Sequence, residues 1–366
     1  MMWRSGNTVV QIANLRRVAN PPGEASSKLQ QRDWQSRAGL HPAPLALALL
    51  SGLLSAQTWM PQQSGTNADL RGVSAVNSKI VWASGTKGTF LRSADGGATW
   101  KAATMPGAAD LDFRGIWAVD DKTAFLLSSG PGEKSRIYKT ADSGASWRPL
   151  QINADPKGFW DAIAMWDPDH GIVLGDPVNG RFTIMTTSDG VTWQAQKGPA
   201  ATAQEGAFAA SNSSLVVRGS REAWFGTGGT GGGRVFHSED GGKTWTVAKA
   251  PVRHDSASAG IFSLAFSDSM HGIAAGGDYM DSQSATDTLA ITDDGGKTWK
   301  PVAAPFGYRS AAAYIPGVKK WVVTGPSGSN WSADRLTWTA FAGAYNAIGF
   351  PWAVGAAGAI ALLDVP

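Results

Sequence analysis

Residues Ser238–Trp245 read SEDGGKTW, and residues Thr292–Trp299 read TDDGGKTW. The same form, S/T-x-D-x-G-x-T/S-W, recurs with some decay as SADGGATW (Ser93–Trp100), TADSGASW (Thr140–Trp147), TTSDGVTW (Thr186–Trp193) and SADRLTW (Ser332–Trp338). Successive tryptophans of the six segments are 47, 46, 52, 54 and 39 residues apart. A period of this length is typical of one four-stranded blade of a β-propeller. The sequence therefore predicts an all-β, ring-shaped fold.

Each repeated segment, called a box below, has the composition of a tight turn. Its Asp can accept hydrogen bonds from turn amides, and its Gly residues permit positive φ. A β-rich run precedes most boxes, for example Arg234–His237 before Ser238. We therefore expect each box to join the third and fourth strands of a blade, with its Trp packed between blades.

The number of blades follows from aligning the first strands. They are predicted to begin at Leu70, Phe113, Trp160, Phe262, Tyr308 and Tyr345, with blade four beginning near Gly206–Ala209. This gives seven blades, of which the last is one strand short. Gln57–Pro61 contains a Thr-Trp without a box, and we expect it to supply the missing strand and close the ring. Residues 57–366 are thus predicted to form a single seven-bladed propeller.

The first 56 residues have the order of a secretory leader. Basic residues precede the apolar run LALALLSGLL (Leu45–Leu54), which ends at small residues before Gln57. The run is too short to cross a membrane as a helix. Residues 1–56 are therefore predicted to be a leader that is absent from the folded domain. The expected location is the periplasm or the outside of the cell, with the thylakoid lumen as the alternative.

Composition excludes several classes of function. The 366 residues include no Cys, so disulfides, thiolate metal sites and thiol nucleophiles are ruled out. The net charge of +3 comes from the leader, which holds six Lys or Arg and two acidic residues. The remainder has no net positive charge to drive nucleic-acid binding. The five His lack ligand spacing, so no metal site is expected.

Charged residues recur at one aligned position of the first strands, which line the channel of a propeller. They are Arg71, Arg114, Asp161, Arg309 and Asn346. Arginine forks suit carboxylates, so this set is a candidate site for an anion or a peptide. The alternative is a channel wall of mutually paired charges. Further polar residues predicted near the same axis, as candidate binding residues, are Asp176, Glu205, Asp278, Tyr279 and Tyr308.

The boxes resemble the Asp-boxes of sialidases, which suggests an enzymatic alternative. That resemblance would give the arginines the role of a carboxylate-binding triad and would make Glu205, Asp161 and Tyr308 the catalytic candidates. Two departures count against it. Phe113–Ile116 lacks the Pro of the sialidase Phe/Tyr-Arg-Ile-Pro motif and lies one blade late, and sialidases are usually six-bladed.

From about residue 57 to the end, the chain resembles the photosystem II assembly factor family and its relatives in non-photosynthetic bacteria. The resemblance is carried by FWDAIA (Phe159–Ala164), GDPV (Gly175–Val178), EGAFAASN (Glu205–Asn212), GGDY (Gly276–Tyr279), GYRS (Gly307–Ser310) and GPSGS (Gly325–Ser329). It implies seven blades, Asp-boxes and an arginine patch that holds a partner polypeptide.

Some of these relatives are labelled oxidoreductases, but no cofactor is expected here. Gly226–Gly231 matches G-x-G-x-x-G, yet it leads into a strand and a box rather than a helix. The sequence therefore predicts an exported, monomeric, non-enzymatic propeller that binds a protein or peptide through Arg71, Arg114 and Arg309. The alternative is a sialidase-like glycoside hydrolase acting on a glycan.

Overall fold

In the computed structural model, residues 57–364 are described, and they form seven four-stranded antiparallel sheets. In six of the sheets, blades one to six of the ring, the four strands pair in chain order, and the seventh sheet has the order β1-β28-β27-β26. The chain is a seven-bladed β-propeller, as the spacing of the boxes predicts. The predicted leader, residues 1–56, lies outside the described residues.

The strands of blades one to three are β2 (Leu70–Ala75), β3 (Val81–Gly85), β4 (Thr89–Ser93), β5 (Lys101–Thr104), β6 (Phe113–Ala118), β7 (Ala124–Ser128), β8 (Arg136–Thr140), β9 (Arg148–Ile152), β10 (Trp160–Met165), β11 (Gly171–Val178), β12 (Arg181–Thr187) and β13 (Gln194–Gln196). Those of blades four and five are β14 (Leu215–Arg218), β15 (Glu222–Gly226), β16 (Arg234–Ser238), β17 (Thr246–Lys249), β18 (Ala259–Phe266), β19 (Gly272–Asp278), β20 (Leu289–Thr292) and β21 (Lys300–Pro301).

Blades six and seven contain β22 (Ala311–Ile315), β23 (Lys320–Gly325), β24 (Gly328–Ser332), β25 (Thr339–Phe341), β26 (Ala347–Gly349), β27 (Trp352–Val354), β28 (Ile360–Asp364) and β1 (Thr58–Gln62). Single 3₁₀ turns cover Gly132–Lys134, Tyr279–Asp281 and Ala356–Gly358. Among the described residues, no helix is long and apolar enough to span a lipid bilayer.

The ring closes through its first strand. β1 pairs antiparallel with β28, from Thr58 opposite Asp364 to Gln62 opposite Ile360, and so becomes the outer strand of blade seven. Closure pairs the edges that a broken ring would expose. The prediction that the segment beginning at Gln57 completes the last blade is confirmed.

The core is divided among the seven interfaces between neighbouring blades, with one cluster of buried apolar side chains in each. Each box Trp packs in the interface between its own blade and the preceding one. Trp299, for example, lies among Trp224 and Val235 of blade four and Ile261 of blade five. Blade seven has no box, and Trp59 of β1 fills the equivalent interface with blade six.

The boxes fold as the predicted turns between third and fourth strands. In the first box, Asp95 accepts hydrogen bonds from the Thr99 amide (2.9 Å), the Thr99 hydroxyl (2.6 Å) and Ser93 (2.9 Å). The sixth box has no Gly pair, and Arg335 adopts the positive φ of 67° in its place. We call the face that carries the boxes the lower face and the opposite one the upper face.

The predicted start of blade four is wrong. The first strand of this blade is β14, which begins at Leu215 rather than near Gly206–Ala209. Gly206 instead forms an isolated bridge with Gly228, which also bridges Gly260 of blade five. A Cβ on Gly228 would lie 2.2 Å from the Phe208 ring, so this approach requires glycine. The chain after Gly206 departs from the blade pattern, as described next.

Candidate functional site

A bulge in the first strand aims the aligned charged residues. The strand register shifts between Leu70 and Gly72 in blade one and between Phe113 and Gly115 in blade two. The extra residues are Arg71 and Arg114. A bulged residue leaves the pairing pattern and its side chain is re-aimed, so both arginines are placed by the same local device near the upper start of their strands.

Arg71 and Arg114 share one carboxylate. The Arg114 Nε donates to Asp112 Oδ2 at 2.8 Å, and the Arg71 Nε lies 4.0 Å from Asp112 Oδ1. The two arginine side chains are about nine-tenths buried. Burial lowers the pKa of Arg71, and Arg114 lowers it further, against the opposing effect of Asp112 and Asp69. Two positively charged guanidinium groups thus share one nearby carboxylate, which leaves a local excess of positive charge and of N–H donors.

A segment between blades three and four crosses the channel. We call Phe208–Ser214 the crossing segment. Its Ala209 carbonyl accepts from Arg114 Nη1 at 2.7 Å in blade two, and its Ser211 Oγ donates to the Ser310 carbonyl at 2.6 Å beside blade six. A single short segment reaches both blades only by passing across the axis. The channel therefore does not run open from the upper to the lower face at this level.

Asn212 anchors the crossing segment to blade three. Its Nδ2 donates to the Ile163 carbonyl at 2.9 Å, and its Oδ1 accepts from the Ile163 amide at 2.8 Å. On the other side, Ser213 Oγ lies 2.7 Å from Ser263 Oγ of blade five. The segment replaces the hydrogen-bond partners that the inner strands would otherwise lack.

An aromatic cluster lies beside the crossing segment. The Phe208 ring stacks on Phe262 with centroids 3.9 Å apart, and Tyr308 meets Phe262 edge-on at 4.7 Å. Burial raises the pKa of the Tyr308 phenol well above its ordinary value, while the charges of Arg71 and Arg114 oppose this rise. Tyr308 thus lies within range of the positive charges of both arginines.

Arg309 is directed elsewhere. Its Nη1 donates to Ser327 Oγ at 2.7 Å and its Nη2 to Asn330 Oδ1 at 2.7 Å, both within blade six. The guanidinium lies over the Phe306 ring at 4.9 Å, and burial lowers its pKa to about 10. The structure thus brings together Arg71 and Arg114 but not Arg309. Asn346 donates to the Leu70 carbonyl at 3.0 Å and joins blade seven to blade one.

Glu205 is held by Arg234. The Arg234 Nε donates to Glu205 Oε1 at 2.8 Å, and its Nη2 donates to Oε2. Thr227 Oγ1 and the Thr202 amide also donate to the carboxylate, whose side chain is fully buried. Both oxygens are engaged, an arrangement that favours a role for Glu205 in fixing the loops of blade four over the role of a catalytic acid.

The remaining predicted residues also lie near the upper ends of their strands. Asp176 Oδ1 accepts from the Ala207 amide at 3.1 Å. Asp278 accepts from Ser256 Oγ at 2.8 Å and caps the 3₁₀ turn that contains Tyr279. Asp161 is fully buried at the bulge of blade three. In the part of the chain that the structure describes, no group of three or more His, Asp or Glu is placed to hold a metal ion.

Sequence reasoning missed Asp112, the crossing segment and Arg234. A signal for the first was present, because ADLRG and LDFRG both place an Asp two residues before the bulge arginine (Asp69–Arg71 and Asp112–Arg114). The second had a weaker signal. Residues 206–214 are small and polar around Phe208, and they lack the alternation of a half-buried strand.

The family model of the BNR/Asp-box repeat matches residues 290–301, which contain the box of blade five. No curated protein is significantly similar to the chain in sequence. Solved structures that match include YCF48 from Cyanidioschyzon merolae (15% identity, 83% of this chain and 98% of that chain covered, TM-score 0.58). The WD40 β-propeller domain of Doa1 matches with 12% identity, 84% and 97% coverage and a TM-score of 0.57.

The structure of U3-55K matches with 10% identity, 85% and 99% coverage and a TM-score of 0.58. Identities this low show a shared fold. Together with the repeat match, they confirm that the chain resembles Asp-box β-propellers, as its boxes predict.

Proposed function

We propose that this Asp-box β-propeller is a binding or assembly module that holds an acidic segment of a protein or peptide at the upper mouth of its channel. The observation that carries the proposal is the pair Arg71 and Arg114 around the single carboxylate of Asp112. The Arg71 Nε has no hydrogen-bond partner among the described residues, although the atom is buried. A carboxylate from a partner would supply the missing acceptor with a charge-assisted hydrogen bond.

The surroundings support a polypeptide partner. The crossing segment closes the channel beneath the arginines, so a ligand would rest on a floor rather than thread through a pore. Phe262, Tyr279 and Tyr308 form an aromatic wall that would contact apolar side chains next to an acidic group. The fold is shared with YCF48 from Cyanidioschyzon merolae. The sialidase-like alternative is less favoured, since Arg234 holds both carboxylate oxygens of Glu205, one of its three catalytic candidates.

We also propose that this activity takes place after export, in the periplasm or outside the cell. The support is the order of basic, apolar and small residues before Gln57.

The proposal is tested by probing the full chain with an array of peptides that carry either acidic or amidated residues at matched positions. We expect capture of the acidic peptides, and a loss of about tenfold or more in affinity on Arg71→Ala or Arg114→Ala, the size typical of a charge-assisted hydrogen bond. Arg148→Ala is the matched control, since Arg148 is exposed on β9. Equal capture by all variants, with thermal unfolding unchanged, would exclude this site.

A further inference from the structure

A second cleft opens on the lower face, between blades three and four. Its volume is about 720 Å³, within the range of small-molecule sites. Its walls come from the β10–β11 turn, the β14–β15 turn and the boxes of the two blades. Trp166, Gln194 and Gln196 line it between these turns. The cleft is on the opposite face from Arg71 and Arg114 and is independent of the site proposed above.

The carboxylates of this cleft are already occupied by their own turns. Asp189 Oδ1 accepts from the amides of Val191 (2.8 Å) and Thr192 (2.6 Å). These bonds, the one from Thr192 first, hold the pKa of Asp189 well below its ordinary range. Asp240 Oδ1 accepts from the Lys243 amide at 3.0 Å, and Asp167 from His170 Nδ1. Because none of these acids is set up to donate a proton, the cleft is suited to binding rather than to hydrolysis.

The cations of the cleft have no such partners. Arg221 and Lys243 line the cleft and are exposed, and within residues 57–364 no ion pair or hydrogen bond joins their side chains to the protein. Their turns are adjacent, because the Arg221 carbonyl accepts from the Gly241 amide at 2.9 Å. The neighbouring acid, Glu222, accepts from Ser269 of blade five at 3.0 Å instead. The cleft therefore offers donors without acceptors at these two positions.

The rest of the lining suits a sugar. Trp166 is partly buried, and its Nε1 donates to the Glu222 carbonyl at 2.8 Å, so the indole spans the seam between the blades. An indole face packs well against the C–H groups of a pyranose ring. Gln194 and the hydroxyls of Ser188 and Ser220 add polar groups that match sugar hydroxyls. With three carboxylates close by, a densely charged polyanion would be repelled more strongly than a saccharide whose carboxylates are spaced apart.

We propose that this cleft is a non-catalytic binding site for an acidic saccharide, a chain of uronate type, in which Arg221 and Lys243 bind sugar carboxylates and Trp166 supports a sugar ring. The ligand class follows from the combination of unpaired cations, satisfied acids and an aromatic floor. Such a site would give the propeller a second partner, a polysaccharide, on the face opposite to its proposed peptide site.

The test is isothermal titration of the full chain with tetragalacturonate, its methyl ester and tetrapolyphosphate. We expect tetragalacturonate to bind and the neutral ester and the polyphosphate to bind at least fivefold more weakly. Arg221→Ala and Lys243→Ala should each weaken binding about fivefold, as fits an exposed charged contact. Lys297→Ala is the matched control, because Lys297 occupies the same position in the box of blade five and lies outside the cleft.

Three results would overturn the proposal. They are no binding of tetragalacturonate, equal binding of polyphosphate, and equal losses in Lys297→Ala and Lys243→Ala. Since Arg71→Ala and Arg114→Ala leave the lower face intact, failure here leaves the proposed peptide site untouched.

Discussion

At the scale of single residues, buried polar groups are of two kinds: those whose hydrogen-bonding atoms find partners within the fold, and those with an atom that has no partner. Glu205 belongs to the first kind, since both of its carboxylate oxygens accept hydrogen bonds. Arg71 and His237 belong to the second. The His237 ring stacks on Trp224 with centroids 4.4 Å apart, and its Nε2 has no hydrogen-bond partner among the described residues. A ligand or a change of pH is expected to act at buried polar groups that lack a partner in this way.

His237 should make the stability of the propeller depend on pH. Burial lowers its pKa in the folded state, and Lys297 adds to this, against the opposing effect of Glu239 and Glu222. The unfolded chain then binds a proton more readily, so stability is full above the ordinary histidine pKa of 6.5 and is lost as pH falls below it. The slope contributed cannot exceed about 1.4 kcal/mol per pH unit, the limit for one proton.

The measurement is the free energy of unfolding in urea at pH 7.5 and 5.5, for the wild type and His237→Phe. Phe keeps the aromatic stacking and removes the titration. The wild type should lose more stability between the two pH values than the variant. Identical losses would show that His237 titrates alike in both states.

At the scale of elements, the crossing segment links the inner strands of separate blades. Gly115 shows how closely it fits, because a Cβ at this position would lie 2.7 Å from Asn212 Oδ1. The segment also orients Arg114. The Arg114 Nη1 donates to a carbonyl of the segment, while its Nε donates to Asp112. It therefore contributes to the geometry of the upper site as well as to the packing of the channel.

Asn212→Gly should loosen this element. Asn212 has a φ of 63°, which Gly adopts without strain, so the substitution removes the two side-chain bonds to Ile163 without straining the backbone. Loss of these bonds should cost about 1–3 kcal/mol of unfolding free energy. Hydrogen exchange of the amides in Phe208–Ser214 should rise in parallel. Unchanged exchange would mean that other contacts suffice to hold the segment.

At the scale of the whole molecule, the repeat made the ring predictable and left the channel unpredictable. Three local signals led to the correct number of blades and the correct ring closure. They are the spacing of the boxes, the Thr58-Trp59 pair that has no box, and the absence of a fourth strand at the end of the last blade. The direction of Arg309 and the path of residues 208–214 depend on contacts between distant blades. No periodicity in the sequence encodes such contacts, so the sequence could place Arg71 and Arg114 at one aligned position but could not show what they contact.

Trp59→Ala should weaken ring closure. The Trp59 ring is 8% exposed, meets Tyr345 edge-on at 5.1 Å and donates to Ser329 Oγ at 3.1 Å. Truncation should cost about 3–5 kcal/mol, as for other large-to-small core changes. Trp299→Ala, in an ordinary interface, is the control. If closure depends on Trp59, hydrogen exchange of β28 rises in Trp59→Ala alone, whereas equal exchange in both variants would contradict this.

The pairing of β1 with β28 also dictates when the protein can finish folding. Thr58 leaves the ribosome long before its pairing partner Asp364, because six blades lie between them in the sequence. Until then β1 has no neighbour on which to dock, and the flank of blade six that blade seven will cover stays open. Blade seven can thus form only after the six other blades have been made, and until then the nascent chain most needs protection from other nascent chains.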